Sequence, residues 1–360
     1  MVYLKKLFFL KVILIRFINL LIRIKLFIYS FVHDRPNNKV FLLSLNGIGD
    51  SVFSSIVVNY LSQNGYELSL LVKNDSIPIY QNDKRIKFLY SYDLRSFVHW
   101  LYFFLFKNTN SFVVIIHGSF ISSVIALFTN TKNLSGMLFN TNHKYIYYSH
   151  KSSKYVHKYL DNDTHLAVLT YCSLFQFTGK FIYDLRSPAL KFNLCLETEH
   201  VQKKPSNYVC IAPDSNWESK DLSYNTIQTI IESTSHEIII IGKSSFNISS
   251  NKKIYDFRNK LSLQQCFDIL SNTEYLFCCD SLFLHIATFY NIKLCVFFTS
   301  TNYKVLSYYS SNKIDIINSN LNCSPCYNWR HKPICTNGIK YQCKEFESDV
   351  VKNIIKKNRL

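Results

Sequence analysis

The chemistry-bearing residues of this chain gather in a few short stretches. In Asn46-Gly47-Ile48-Gly49-Asp50 a carboxylate follows two glycines. Before it runs an apolar segment, Val40 to Leu45, short enough for a buried strand. After it, Ser51 to Leu61 repeats apolar residues at helical spacing (Val52, Ile56, Tyr60; Val57, Leu61). The glycines permit a tight turn and close backbone approach. A carboxylate at that junction can cap the helix, or it can face a ligand at the carboxyl end of the strand and take a proton from it. The spacing leaves both open. Only two of the three glycines of the dinucleotide fingerprint are present, which argues against a nicotinamide enzyme.

Two further loops lie between a predicted strand and a predicted helix. They are Pro213-Asp214-Ser215-Asn216-Trp217-Glu218-Ser219-Lys220 and Asp280-Ser281-Leu282-Phe283-Leu284-His285. Hydroxyls, a lysine and backbone N–H groups at a helix N-terminus suit phosphate oxygens. Near the end stand Cys323, Cys326, Cys335 and Cys343. Four thiols can bind zinc, but only the first pair has knuckle spacing, and structural cysteines are the preferred reading. Residues 141–165 carry His143, His150, His157 and His165 among Lys144, Lys151, Lys154 and Lys158. Histidines seven apart on a helix are too far apart for one ion, so this stretch reads as a basic, aromatic loop facing an anionic acceptor, or as a solvated surface.

The elements that must position these groups alternate. Strands are expected at 40–45, 67–72, 86–90 and 112–116, with helices between, including the aromatic stretch Phe97 to Phe106, which suits a membrane or partner surface. His117-Gly118-Ser119 and a helix to about Phe128 come next, and a helix over 166–179 follows the basic loop. Asp184 to Asn207 is polar and carries Lys203-Lys204-Pro205; it reads as a linker. A second strand–helix alternation begins at Tyr208, with strands at 208–212, 237–241, 274–278 and 293–298. The domain plan is therefore 1–35, 36–183, a linker at 184–206, 207–346, and a closing helix within 347–360. Two Rossmann-like α/β halves facing a central cleft, preceded by an amphipathic helix, suggest the GT-B architecture.

The net charge of +17 calls for anionic partners. Lys5, Lys6, Lys11, Arg16, Arg23, Lys25 and Arg35 lie in the first 35 residues against the single acid Asp34. Bases interrupt the apolar run too often for a spanning helix or a signal peptide. A helix lying in an anionic membrane interface fits, as does one packed on the protein with snorkelling bases. Because much of the excess charge sits on an apolar segment, a membrane suits it better than nucleic acid. Eleven cysteines without a secretory signal point to the cytoplasm.

Taken in order, these blocks resemble glycosyltransferase family 9, the lipopolysaccharide heptosyltransferases, over roughly residues 38–350. Val40 to Leu61 resembles the family's opening, in which the G-x-G-D aspartate is the proposed catalytic base; that role falls on Asp50. The loop at 213–220 resembles P-G-x-S…K and puts Ser215 and Lys220 on the donor phosphates. The loop at 280–285 resembles D-S/T-G-P-x-H and puts Asp280, Ser281 and His285 at the donor. Phe298 to Asn302 resembles F-G-P-T-D. Acceptor contacts fall on Gly47, Gly49, His150 and Lys154. Three departures stand out. Asp214 replaces a glycine and brings a negative charge, Leu282 and Phe283 replace glycine and proline, and Gly242 to Phe246 lacks the family's ribose-holding acid. The resemblance implies an inverting transfer, needing no metal or other cofactor, of a heptose-like sugar from a nucleotide diphosphate donor, ADP-heptose above all. The implied acceptor is a lipid-linked saccharide, the lipopolysaccharide inner core, at the cytoplasmic face of the inner membrane. A degenerate member that binds sugar or lipid without turnover is the alternative.

Overall fold

The computed structural model describes residues 38–360 apart from 94, 105–111, 117–118, 129–132, 139–144, 152–153, 161–165, 179–192, 249, 307–312, 328–334 and 336–337, together with Leu14, Phe17, Ile18, Leu20, Leu21 and Ile24. Two compact units divide between Cys195 and Leu196.

In the first unit, strands β1 (Lys39–Ser44), β2 (Glu67–Lys73), β3 (Ile86–Tyr92), β4 (Phe112–Ile115) and β5 (Asn133–Leu138) form the parallel part of a seven-stranded sheet of order β3-β2-β1-β4-β5-β6-β7. Strands β1 and β4 are apolar almost throughout because helices cover both faces of the sheet. The strand order reverses between β1 and β4, and the helix Ile48–Gln63 starts at the carboxyl end of β1.

The sheet ends in an antiparallel hairpin, β6 (Tyr145–Lys151) and β7 (Lys154–Leu160). The sequence suggested a loop here. Its charges hid an aromatic and β-branched content that suits strands, and both His150 and Lys154 lie on this hairpin; His150 pairs with Tyr155. The expected helix over 166–179 is two short ones, Leu166–Cys172 and Phe175–Thr178, with a turn at Ser173 and Leu174. The aromatic helix Phe97–Tyr102 turns Trp100 into the core with Phe41, Phe104 and Ile18, while Val98 and Tyr102 stay exposed.

The basic residues of the first 35 positions, His117, Gly118, His143, Lys144 and His165 lie outside the described residues. Leu14, Phe17, Ile18, Leu20, Leu21 and Ile24 are helical. Ile18 is buried in the core of the first unit, and Leu14, Phe17, Leu20 and Ile24 are exposed. Among the described residues no helix is long and apolar enough to cross a membrane.

The second unit is a six-stranded, wholly parallel sheet of order β10-β9-β8-β11-β12-β13. Its strands are β8 (Tyr208–Ala212), β9 (Glu237–Ile240), β10 (Ile254–Asp256), β11 (Tyr275–Cys279), β12 (Leu294–Phe298) and β13 (Ile314–Asn318). Numbered within the unit this is the 3-2-1-4-5-6 order of dinucleotide-binding sheets, with its reversal between β8 and β11. Part of the expected linker is packed onto this unit. Val201 N and Lys204 Nζ both donate to Asp268 Oδ2 on the helix Leu263–Ser271.

The closing helix Ser348–Asn358 belongs here as well. Val351 and Ile355 enter the core of the second unit, beside the helix Tyr224–Ser233. Lys357 and Asn358 bond to Asp315 on β13 at 2.6 and 2.9 Å.

Candidate active site

Asp50 is the third residue of the helix Ile48–Gln63. The sequence reading began this helix at Ser51; it starts three residues earlier, so Gly49 and Asp50 lie inside its first turn. Gly47 is the N-cap with φ −67°, and a methyl group there would make only ordinary contact with Asp50 Oδ2 at 3.7 Å. Turn geometry therefore does not demand Gly47. Gly47 N donates to Asp50 Oδ2 at 3.3 Å. Capping and chemistry are thus compatible here: one oxygen holds the helix start, and the side chain stays partly exposed.

A buried hydroxyl network fixes this turn from behind. Ser51 Oγ lies 2.9 Å from Ser76 Oγ and 3.3 Å from Gly47 O, its one proton serving the pair, and the Tyr80 hydroxyl donates to Ser51 O. Ser44 and Ser54 pair at 2.8 Å between β1 and the helix. None of these hydroxyls stood out in the sequence, because a serine's partner 25 residues away leaves no local signal.

In the second unit, the loops after β8, β11 and β12 meet at the carboxyl ends of their strands. Asp280, at the end of β11, is buried. Lys220 Nζ reaches its Oδ2 at 3.1 Å, and Thr301 Oγ1 donates to the same oxygen at 2.8 Å. Burial alone would raise the Asp280 pKa; Lys220, then His285 and the Thr301 hydroxyl, outweigh it and hold the carboxyl below its ordinary value. His285 is buried, and desolvation lowers its pKa to about 4. At neutral pH the imidazole is uncharged, and Lys220 is the cation that balances Asp280. Thr301 was seen in the sequence only as part of a motif, and its bond to Asp280 marks it as a site residue.

Ser281 is the N-cap of the helix Leu282–Phe289 but makes no cap bond, and its buried Oγ has no hydrogen-bond partner among the described residues. A serine at this position usually spends its oxygen on the N2 or N3 backbone N–H. A helix start, an unpartnered hydroxyl and a lysine on the adjacent loop are groups whose chemistry suits an anion. Leu282 and Phe283 occupy the first turn of that helix, both partly exposed.

Two sequence expectations change in detail. The Ser215 hydroxyl donates to Trp217 O and accepts from Trp217 N, both at 3.0 Å, so it shapes its loop and spends its proton there. Asp214 does not point its charge into the phosphate loop. Its Oδ2 accepts from Lys243 N at 2.6 Å, at the end of β9.

Trp217, unremarked in the sequence, packs edge-on to Tyr327 with centroids 4.8 Å apart and lies 5.2 Å under the Lys220 ammonium. The segment bearing Cys323 and Cys326 is tied to the same loops, since Tyr327 N donates to Ser300 O at 2.8 Å and Ser324 Oγ donates to Thr299 O. Cys343 is buried, and burial followed by the neighbouring Cys326, Cys323 and Cys335 raises its pKa to about 11. Among the described residues no three His, Cys, Asp or Glu side chains are gathered so as to hold a metal ion.

The His285 environment has a measurable consequence. The folded-state pKa of about 4 lies below the ordinary 6.5, so the unfolded chain binds more protons between these values. Stability should therefore fall as pH drops from about 6.5 to 4, by roughly 3 kcal/mol from this group alone. The Asp280 contribution disappears only at lower pH, below the ordinary carboxyl range. Urea unfolding of wild type and His285→Gln at a series of pH values should show the difference between the two curves changing across that window. A constant difference would contradict the assigned environment.

The profile of glycosyltransferase family 9 (heptosyltransferase) matches residues 105–333, well over half of the chain. Comparison with curated proteins gives no match. Solved structures share the fold across nearly the whole chain. A family 9 glycosyl transferase from Veillonella parvula superposes with a TM-score of 0.63 at 10% identity, covering 90% of this chain and 97% of its own. The E. coli ADP-heptose LPS heptosyltransferase II gives 0.59 at 11% identity, covering 89% and 98%. E. coli heptosyltransferase WaaC with ADP gives 0.60 at 10% identity, covering 89% and 99%. These are GT-B-like structures, and the two Rossmann-like sheets found here are their architecture. The profile match, the fold and the ordered blocks from Asp50 to Thr301 agree: the chain belongs to glycosyltransferase family 9, the heptosyltransferases, and is a glycosyltransferase.

Proposed function

We propose that the protein transfers a heptose-like sugar, with inversion, from a nucleotide diphosphate donor to a lipid-linked saccharide. The preferred donor is ADP-heptose, which fits the ADP and ADP-heptose named for its structural neighbours, and the preferred acceptor is the lipopolysaccharide inner core. The observation that supports this reading is the grouping of Ser281, Asp280 and Lys220 at the carboxyl edge of the second sheet. Ser281 sits with an idle hydroxyl at the start of the helix Leu282–Phe289, next to Asp280, which anchors Lys220. Lys220 and the helix N-terminus supply positive potential where the diphosphate departs, so the protein's own groups can meet that demand without a metal.

Asp50 is the base of this reading. It takes the proton of the acceptor hydroxyl while that oxygen bonds to the anomeric carbon and the carbon–oxygen bond to the diphosphate breaks. Attack from the face opposite the leaving group gives inversion. Gly47 and Gly49 leave room for the acceptor beside it, and His150 and Lys154 on the β6–β7 hairpin are assigned to its anionic groups. The exposed Leu14, Phe17, Leu20 and Ile24 support a peripheral seat on the cytoplasmic face of the inner membrane, where the acceptor lies.

A thermal-shift panel tests the donor. ADP-sugars should raise the melting temperature, and UDP-sugars should not. Ligand at a hundredfold excess over Kd stabilises by about 3 kcal/mol, a shift of several degrees. No response to any nucleotide diphosphate would end the reading.

A further inference from the structure

The family's ribose-holding acid is missing from the segment after β9, and the structure places a carboxylate there by another route. In sheets of this strand order, an acid at the end of the second strand accepts hydrogen bonds from the ribose of the nucleotide. Here the second strand is β9, which leads into Ile241-Gly242-Lys243-Ser244 with no acidic residue. Asp214, from the end of the neighbouring β8, extends across to this turn. Its Oδ2 accepts from Lys243 N at 2.6 Å.

Gly242 is what admits it. Its φ is +123°, and a Cβ there would stand 1.9 Å from Asp214 Oδ1. The carboxylate thus occupies the place a side chain would take.

Two polar atoms at this turn are left over. Asp214 Oδ1 and Ser244 Oγ are both buried with no hydrogen-bond partner among the described residues. Such orphans are uncommon in folded proteins and call for an explanation. An acceptor beside a hydroxyl complements the vicinal diol of a ribose, whose two hydroxyls each donate and accept. Asp214 and Ser244 are each partly exposed as residues, while the two orphan atoms themselves are covered.

We infer that Asp214 and Ser244 hold the ribose hydroxyls of the donor nucleotide, Asp214 replacing from β8 the acid that the end of β9 lacks. The inference rests on the nucleotide-sugar reading above. It gives the charge at position 214 a use at the nucleoside, on the strand next to the diphosphate site at Lys220 and Ser281.

The test compares ADP with 2′-deoxy-ADP and 3′-deoxy-ADP by titration calorimetry on the full chain, with the GDP, UDP and CDP pairs run beside them. Wild type should bind the ribonucleotide about tenfold to a hundredfold more tightly than a deoxy form, the value of one hydrogen bond to a charged group. Asp214→Asn keeps an acceptor for Lys243 N and should bind the ribonucleotide more weakly, with the preference over one of the two deoxy forms gone. Ser244→Ala, which leaves the Lys243 contact untouched, should reduce the preference at the other hydroxyl. Equal binding of ribo and deoxy forms by wild type, or both preferences unchanged in Asp214→Asn, overturns the inference while leaving the donor reading intact. If no nucleoside diphosphate binds wild type, both fall.

Discussion

Asp50→Asn should lower kcat about a hundredfold to ten-thousandfold, the usual contribution of a positioned general base. Affinity for the donor should not change, because the groups proposed to bind the nucleotide belong to the second unit. Asparagine separates the two roles of this side chain. It keeps an oxygen for the Gly47 N–H, so the helix start survives, but it cannot take a proton at neutral pH. Asp50→Ala loses both and should cost a further ~1 kcal/mol of stability, the usual value of a lost helix-start contact. The experiment is steady-state kinetics beside calorimetric donor titration for both variants. Turnover within a few-fold of wild type in the Asn variant would place the base elsewhere. Weakened donor binding would mean that the substitution disturbs more than the proton transfer.

The second large effect lies at Lys220. Removing it as Lys220→Met leaves Asp280 buried with the Thr301 hydroxyl as its remaining named hydrogen-bond partner. Breaking a buried ion pair by deleting one partner costs about 3 kcal/mol or more, most of it the desolvated charge left behind. Asp280→Asn alone should cost less, since the Lys220 side chain keeps some contact with water at 17% exposure. The double variant should recover much of the stability lost by Lys220→Met. It should not recover ADP binding, which falls about tenfold to a hundredfold when a charged phosphate donor is removed. Urea unfolding and calorimetry on the three proteins decide the matter. Full ADP affinity in Lys220→Met would remove the lysine from the donor site, and additive stability losses would remove the buried pair.

The fold was legible where burial leaves a plain trace. Val40 to Leu43, Tyr208 to Ala212 and Tyr275 to Cys279 are unbroken apolar runs because sheet-covering helices bury them on both faces. The short outer strands Ile254–Asp256 and Ile314–Asn318 escaped because each carries polar residues and lies at a sheet edge. The hairpin Tyr145–Leu160 escaped for a different reason: its lysines and histidines outweighed its tyrosines in a reading by charge.

The site divides along similar lines. Asp50, Lys220, Asp280 and His285 could be singled out because each stands at a strand-to-helix junction with a recognisable neighbourhood. The Thr301 bond to Asp280 spans 21 positions, and the Ser219–Ser300 pair spans 81, so no local pattern announces either. Asp214 was read as a liability because a charge beside a phosphate loop looks adverse in one dimension. Its direction, toward Lys243 in the turn after the next strand, exists only in three.

The closing helix Ser348–Asn358 packs within its own half, and every strand of the second sheet comes from after Leu196. The second sheet is thus encoded by one uninterrupted stretch, and among the described residues no strand from upstream completes it. A single crossover near codon 196 would exchange that stretch whole between related genes. On the function proposed here, such an exchange would carry donor preference from one lineage to another and leave the first unit as it was.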